Sequence, residues 1–362
     1  MKLPPRFRDL VRPEVEEMKG YHVQAVQAKI RLDANELPYA PSLAFRAQLA
    51  AEFRKIQPNR YPESDPAALK KLILKRYRAP RDTQVVLGNG SDELIGMLLD
   101  VFAGPARSRP RLLVPNPAFS MFGIIGKSRG YEVVSVETDD EFDLDLKDVG
   151  RAVVRTPVNL VFLAMPNNPT GNCFDPDVVK WLLEDSGAIV VVDEAYGDFA
   201  DSSWVDRLPR YPNLVVMKTL SKVGFATARF GMALCSEAVA SRLERVRLPY
   251  NIGGLNLKVA EVALRNAAEM DRNVNRVIGQ RDWLFDRLRR FETLKAYPSE
   301  ANFLLVRVRG GDAIWLWDTL RRKGILVRNL SRPGRLDGCL RITVGTPAEN
   351  RELVKALETL VD

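Results

Sequence analysis

Histidine occurs once in the 362 residues and cysteine three times, at positions 173, 235 and 339. A Cys/His metal site needs several such ligands at short spacing, and a disulfide framework needs paired cysteines, so neither organises this chain. Sparse, unpaired cysteine fits a reducing compartment. Also missing is any uninterrupted apolar run long enough to cross a bilayer, and the first ten residues carry prolines, arginines and an acid instead of an apolar leader. The expectation is a soluble, cytoplasmic protein with no membrane partner. Basic residues outnumber acidic ones by 54 to 46, for a formal charge of +8, yet no basic run is interleaved with aromatics. Nucleic acid is therefore not an expected partner; solvated helix faces account for most of the excess, and the remainder can draw anionic small molecules toward a cleft.

What is present is apolar residues in short blocks, 46% of the chain. Runs at 84–87, 111–114, 131–136, 160–165, 189–192, 214–217 and 230–235 read as strands. Helix-like text separates most of them, with one helix starting at Ser91-Asp92-Glu93 and another over 237–246. This alternation predicts an α/β fold with a mostly parallel sheet. Residues 257–290 read as one extended helix, after which strands at 302–308, 325–328 and 339–344, with helices at 314–323 and 349–360, suggest a smaller α+β unit. The expected organisation is a large domain over 41–275, and a second unit made of the arm 1–40 and residues 276–362. The arm reads as irregular, with few periodic cues.

The polar residues fall at the ends of these blocks. Asp193-Glu194-Ala195-Tyr196 follows Ile189-Val190-Val191-Val192, and Thr219-Leu220-Ser221-Lys222, with Arg229 beyond it, follows Leu214-Val215-Val216-Met217. Open parallel sheets bind ligands at the carboxyl ends of their strands, which is where these residues lie. Together they suit pyridoxal 5'-phosphate: Lys222 to hold the aldehyde covalently, Asp193 to keep the pyridine nitrogen protonated, Tyr196 to hydrogen-bond the ring hydroxyl, and Thr219, Ser221 and Arg229 to take the phosphate. Gly88-Asn89-Gly90-Ser91 turns into a helix whose first N–H groups suit a phosphate, although capping by Ser91 or Asp92 explains the same residues. Asn168, in Asn167-Asn168-Pro169-Thr170-Gly171, can donate to the ring oxygen or simply belong to a turn. Phe119, after Pro115-Asn116-Pro117, can stack on the ring or fill core space. Arg341 interrupts an apolar strand, at a solvent edge or as a fork for an anion; Arg328 offers a second fork or a surface charge.

At these residues the chain resembles the fold-type I pyridoxal phosphate aminotransferases, and within them the histidinol-phosphate aminotransferase family. The likeness runs through Leu32-Asp33-Ala34-Asn35-Glu36-Leu37-Pro38, Asn59-Arg60-Tyr61-Pro62, the Gly88 turn, Asn167 to Gly171, Asp193 to Tyr196, Thr219 to Lys222, and the stretch from Leu340 to Thr346. It implies a central sheet sandwiched by helices plus a smaller α+β domain, with pyridoxal phosphate as coenzyme. The implied catalytic residues are Lys222, Asp193 and Tyr196, and the implied phosphate cradle is Ser91, Asp92, Thr219, Ser221 and Arg229. Tyr21, Asn35, Arg328 and Arg341 would contact substrate. Tyr61 would reach the neighbouring subunit's coenzyme, making a homodimer. The implied reaction is transfer of an amino group from L-histidinol phosphate to 2-oxoglutarate. Phe119 departs from the tyrosine usual in the family, which keeps the stacking and loses a hydroxyl. The alternatives with the same coenzyme residues are an aromatic amino acid aminotransferase and a threonine-phosphate decarboxylase-like enzyme. A coenzyme-binding regulator would need a DNA-binding domain ahead of the α/β pattern, and the arm of about 40 residues is short for one.

Overall fold

The computed structural model describes residues 10–16, 18, 26–105 and 109–360. Twelve strands form among them: β1 Ile30–Leu32, β2 Gln84–Asn89, β3 Arg111–Asn116, β4 Glu132–Glu137, β5 Leu160–Ala164, β6 Ile189–Asp193, β7 Leu214–Thr219, β8 Phe230–Cys235, β9 Leu294–Ala296, β10 Phe303–Val308, β11 Ile325–Asn329 and β12 Cys339–Thr343. Seven assemble in the order β2-β8-β7-β6-β5-β3-β4, and five in the order β1-β11-β12-β10-β9. In the larger sheet only β8 runs against the others, pairing antiparallel with both β2 and β7.

Strands covered on both faces are mostly apolar, which explains the Val/Leu/Ile-rich text of the large sheet. Every residue of β5, β7 and β8 is buried. Alternate side chains feed two separate cores. Val86, Phe162, Val191 and Val215 pack toward the helices Ser91–Val101, Ser120–Ser128 and Glu237–Val246. Leu87, Val161, Val192 and Val216 pack toward Ala67–Arg76, Leu146–Arg155, Pro176–Asp185 and Gly254–Arg265 on the opposite face. The smaller sheet has its own core, in which Leu304, Val306, Ile325, Val327, Leu340 and Ile342 meet Leu284, Leu316, Leu320 and Leu353.

Two features depart from the sequence reading. The helix expected over 257–290 is two helices, Gly254–Arg265 and Ala267–Leu288, divided at Asn266 (φ −104°, ψ 34°). The Asn266 side chain bonds the Val262 carbonyl and the Gln48 amide oxygen, a local competition that favours a break over a continuous helix. The arm is not wholly irregular, since β1 lies within it and pairs parallel with β11, Ile30 opposite Ile325. Three residues are too few to display alternation. No helix among the described residues is long and apolar enough to cross a membrane.

One charged pair lies inside the large sheet. Lys218 of β7 and Glu194, just beyond β6, meet at 2.5 Å with side chains 3% and 2% exposed. The ammonium lies 4.7 Å from the centroid of the Tyr77 ring, and Glu194 also accepts from the Ser203 hydroxyl and the Trp204 N–H. Removing one member strands a buried charge, which is costlier than removing both. Lys218→Met is expected to lose about 3–5 kcal/mol of stability in urea unfolding, and Lys218→Met/Glu194→Gln to recover most of that loss.

Candidate active site

The strand directions gather the polar residues at one edge. β2, β3, β5, β6 and β7 all end there, followed by Ser91, Phe119, Asn168, Asp193 itself and Ser221-Lys222. Because β8 runs the other way, its start is at the same edge, with Thr219 opposite Gly231 and Asn89 opposite Phe230. Arg229, which precedes β8, is thereby delivered to a site otherwise built from strand ends.

Asp193 closes β6 and is buried. Burial pushes its carboxyl up to about 7; the N–H of Ala195, donated at 3.0 Å, opposes this, Asp92 and Glu194 add to it, and the Lys222 ammonium opposes it again. Lys222 is thus near enough to Asp193 to act on its charge. The Lys222 amine also stands 5.7 Å from the centroid of the Tyr196 ring. Tyr196 is buried, its ring edge-on to Phe303 at 5.1 Å.

A second cluster surrounds the start of the helix Ser91–Val101. Its N-cap is Gly90, at φ +79°, so no side chain caps the first-turn N–H groups. A Cβ on Gly90 would lie 2.8 Å from the Arg229 guanidinium, and one on Gly231 would lie 2.7 Å from the Ser91 nitrogen. Both glycines keep this corner open. Arg229 adopts the left-handed conformation (φ 44°, ψ 49°), which costs a non-glycine residue about 1 kcal/mol or more, and its Nη2 donates to Asp92 Oδ2 at 2.9 Å. With its carboxylate on Arg229, Asp92 offers an anion its backbone N–H. Thr219 and Ser221 are buried with their hydroxyls 3.0 Å apart, and Thr219 also donates to the Phe230 carbonyl. Ser91, Asp92, Thr219, Ser221 and Arg229 therefore surround one corner of the cleft.

The smaller sheet closes over the edge. Arg341 of β12 donates from Nη1 to Asn168 Oδ1 at 2.5 Å and from Nη2 to the Asp33 carbonyl at 3.0 Å, its guanidinium 5.3 Å from the Phe303 ring. The bond occupies Oδ1 and leaves the amide nitrogen as the donor that Asn168 can offer a ligand. Arg328 stands opposite Arg341 across the β11–β12 ladder, on the same face. Asn35 is buried and donates its amide to the Tyr196 hydroxyl at 2.8 Å.

Phe119 is half-buried and meets Phe122 edge-on at 5.4 Å, so it borders the core without being sunk in it. Tyr61 is not drawn into the cluster; it is 80% exposed and stacked on Tyr250 at 4.5 Å. Tyr21 lies outside the described residues. Sequence reasoning missed Thr343 and Asn302, both buried and both bonded to Asn35. Thr343 had a signal, since it lies two positions after Arg341 on one face of a strand. Asn302 had none, because its partner is distant in the chain.

The family model described as "Aminotransferase class I and II" matches residues 27–357. Among curated proteins, a histidinol-phosphate aminotransferase 2 of Nitrosococcus oceani is 39% identical over 355 residues, 98% of each chain. One named histidinol-phosphate aminotransferase from Chromobacterium violaceum is 38% identical over 353 residues, 97% of this chain and 98% of that one. The solved histidinol-phosphate aminotransferase of Sinorhizobium meliloti, in complex with pyridoxal-5'-phosphate, superposes with a TM-score of 0.86 at 22% identity, covering 99% of this chain and 98% of that one.

Pyridoxal phosphate is the coenzyme of this family, and the residues present fit it. A carboxyl buried enough to be pushed up to about 7 gains a counter-charge from a pyridinium N–H. The Gly90 corner, which a Cβ would fill, is lined by Arg229 and uncapped helix N–H groups, as a phosphate requires. The same burial gives a pH signature. Below the unfolded value near 3.8 the Asp193 carboxyl is protonated in both folded and unfolded chains; between there and about 7 the unfolded chain has lost the proton while the folded, coenzyme-free chain keeps it, so stability falls across that window and the full penalty is present above it. Coenzyme-stripped Asp193→Asn should therefore melt above stripped wild type at pH 8, with the gap closing toward pH 4. In the loaded proteins the order at pH 8 should reverse.

Proposed function

The chain belongs to the class I and II aminotransferases, and from that premise we propose that it moves the amino group of L-histidinol phosphate to 2-oxoglutarate, yielding imidazole acetol phosphate and glutamate. Supporting this choice of substrates are the near-full-length relatives named for that activity and one observation at the site: two arginines, 328 and 341, face each other across a strand ladder. Like charges directly opposite one another repel. An anion between them relieves the repulsion, and guanidinium forks match a phosphate ester and a carboxylate equally. Such a site accepts both partners of the reaction in turn, as ping-pong chemistry demands.

Bound pyridoxal phosphate supplies an electron-withdrawing ring that stabilises negative charge on the substrate's amine-bearing carbon. The protein's residues do the rest. Asp193 holds the ring N–H, and the coulombic gain is large because the pair is buried. The Tyr196 hydroxyl and the Asn168 amide donate to the ring oxygen. Arg229, the hydroxyls of Thr219 and Ser221, and the first-turn N–H groups of Ser91 and Asp92 would bind the phosphate, while Phe119 would stack on the ring. Lys222 would anchor the coenzyme at rest, and its Nζ, when free, would be the base for the proton on the amine-bearing carbon, because tethering keeps it within reach.

We assign the large domain to residues 41–275, with 1–40 and 276–362 forming the second unit, consistent with two sheets that each have a core. Tyr61, exposed and backed by Tyr250, is positioned to enter the site of a second copy, so the working unit is a homodimer. We place the protein in the cytoplasm, as suits a biosynthetic enzyme. With purified enzyme, histidinol phosphate and 2-oxoglutarate should produce glutamate faster than phenylalanine or tyrosine does as donor. No glutamate from histidinol phosphate, or release of carbon dioxide with an amine product, would remove the proposed reaction and leave the coenzyme in place.

A further inference from the structure

Asn35 is committed on every side. Its backbone N–H donates to Thr343 Oγ at 3.0 Å, its Oδ1 accepts from the same hydroxyl at 3.1 Å, and its carbonyl accepts from the Asn302 amide at 3.0 Å. Because Thr343 Oγ already accepts the Asn35 N–H, its single proton goes to Oδ1, which fixes which way the Asn35 amide faces. Nδ2 therefore points at the Tyr196 hydroxyl, 2.8 Å away. The backbone is left-handed here (φ 56°), a conformation that asparagine tolerates better than most residues.

We propose that Asn35 is a positioning residue for the reaction: by donating to the Tyr196 oxygen it forces the phenol's own proton away from itself and onto the ring oxygen of the coenzyme. A phenol has one proton and one free rotation once its ring is held, and the Tyr196 ring is held edge-on by Phe303. With Nδ2 occupying an acceptor position of the oxygen, the proton must point elsewhere. Phe303, Asn302 and Thr343 all come from the smaller sheet or its approach, so closing that sheet over the cleft sets a rotor in the large one. Of the charged groups nearby, Arg341, two residues from Thr343, is a donor only; Lys222, near the ring, would be held in the coenzyme linkage at rest; and Asp193 would be engaged by the ring nitrogen, so none of them takes this proton.

The consequence is electronic. A hydrogen bond donated to the ring oxygen withdraws charge from it, so the proton shared between that oxygen and the nitrogen of the lysine–coenzyme linkage is held less tightly. Misdirecting the Tyr196 proton should raise the pH at which this linkage deprotonates, which is read from its visible absorbance without any turnover. The inference rests on the role given to Tyr196 above, and the variants separate the two.

The test is a spectrophotometric pH titration of the loaded enzyme. Asn35→Gly keeps the left-handed backbone and both backbone hydrogen bonds while deleting the amide. Its midpoint should rise by about half to one pH unit, the equivalent of one weakened hydrogen bond. Tyr196→Phe should raise the midpoint at least as far, and Tyr196→Phe/Asn35→Gly no further than Tyr196→Phe alone. Asn35→Asp, near-isosteric, puts an acceptor where the donor was and should raise the midpoint as well; it decides the matter if the glycine variant does not fold. A wild-type midpoint in the Asn35 variants beside a shifted Tyr196→Phe, or additive shifts in the double variant, overturns the positioning role. An unmoved midpoint in Tyr196→Phe overturns the role of Tyr196 and this one with it.

Discussion

Asp193 ends a strand that is buried almost throughout, and a carboxylate in that position is tolerable only with a cation close by. The fold answers with geometry. Lys222 acts on the charge of Asp193 and stands 5.7 Å from the centroid of the Tyr196 ring, although the crossover between β6 and β7 separates it from both in the chain. A flat, cationic heteroaromatic with an aldehyde and a phosphate satisfies all of these groups at once. The buried acid is costly alone and stabilising when the ring nitrogen is protonated against it. In the role proposed for it the same acid would make the ring an electron sink, so one feature would both bind the coenzyme and give it reactivity.

The reversal of β8 is the topological device that completes the site. In a sheet of purely parallel strands every ligand residue must follow a strand; here one antiparallel strand brings Arg229 to the same edge from the opposite chain direction. Gly231, directly across from Thr219, allows β8 to pass the Gly90-Ser91 turn at a distance no side chain permits. The second unit contributes differently. It delivers Arg341 and Asn35, which bond Asn168 and Tyr196, the two groups proposed to donate to the ring oxygen. In the proposed mechanism substrate recognition and coenzyme tuning therefore share one seam between the two sheets.

Much of this was legible in the sequence, for a physical reason. A strand covered on both faces reads as unbroken apolar text, so its end is marked wherever the polar residues resume, and Asp193, Thr219 and Asn167-Asn168 stand at those marks. The helix start at Ser91 was similarly marked by Gly90 and the acids that follow. Short elements and long-range pairings were not legible. β1 and β9 have three residues each, too few for periodicity, and the break at Asn266 depends on a contact with Gln48, 218 positions away. The Asn35–Tyr196 bond joins residues 161 apart, and nothing local to either predicts it. Lys218 shows the limit in another way: it sits four positions before Lys222, and only burial against Glu194 tells the structural amine from the chemical one.

That distinction gives the most direct measurement of the central claim. Treating the loaded enzyme with borohydride reduces and so fixes any lysine–coenzyme bond, and proteolysis with mass spectrometry then locates it. The account predicts the added coenzyme mass on Lys222 and none on Lys218. Label on Lys218 or on any other lysine, with Lys222 unmodified, would contradict it.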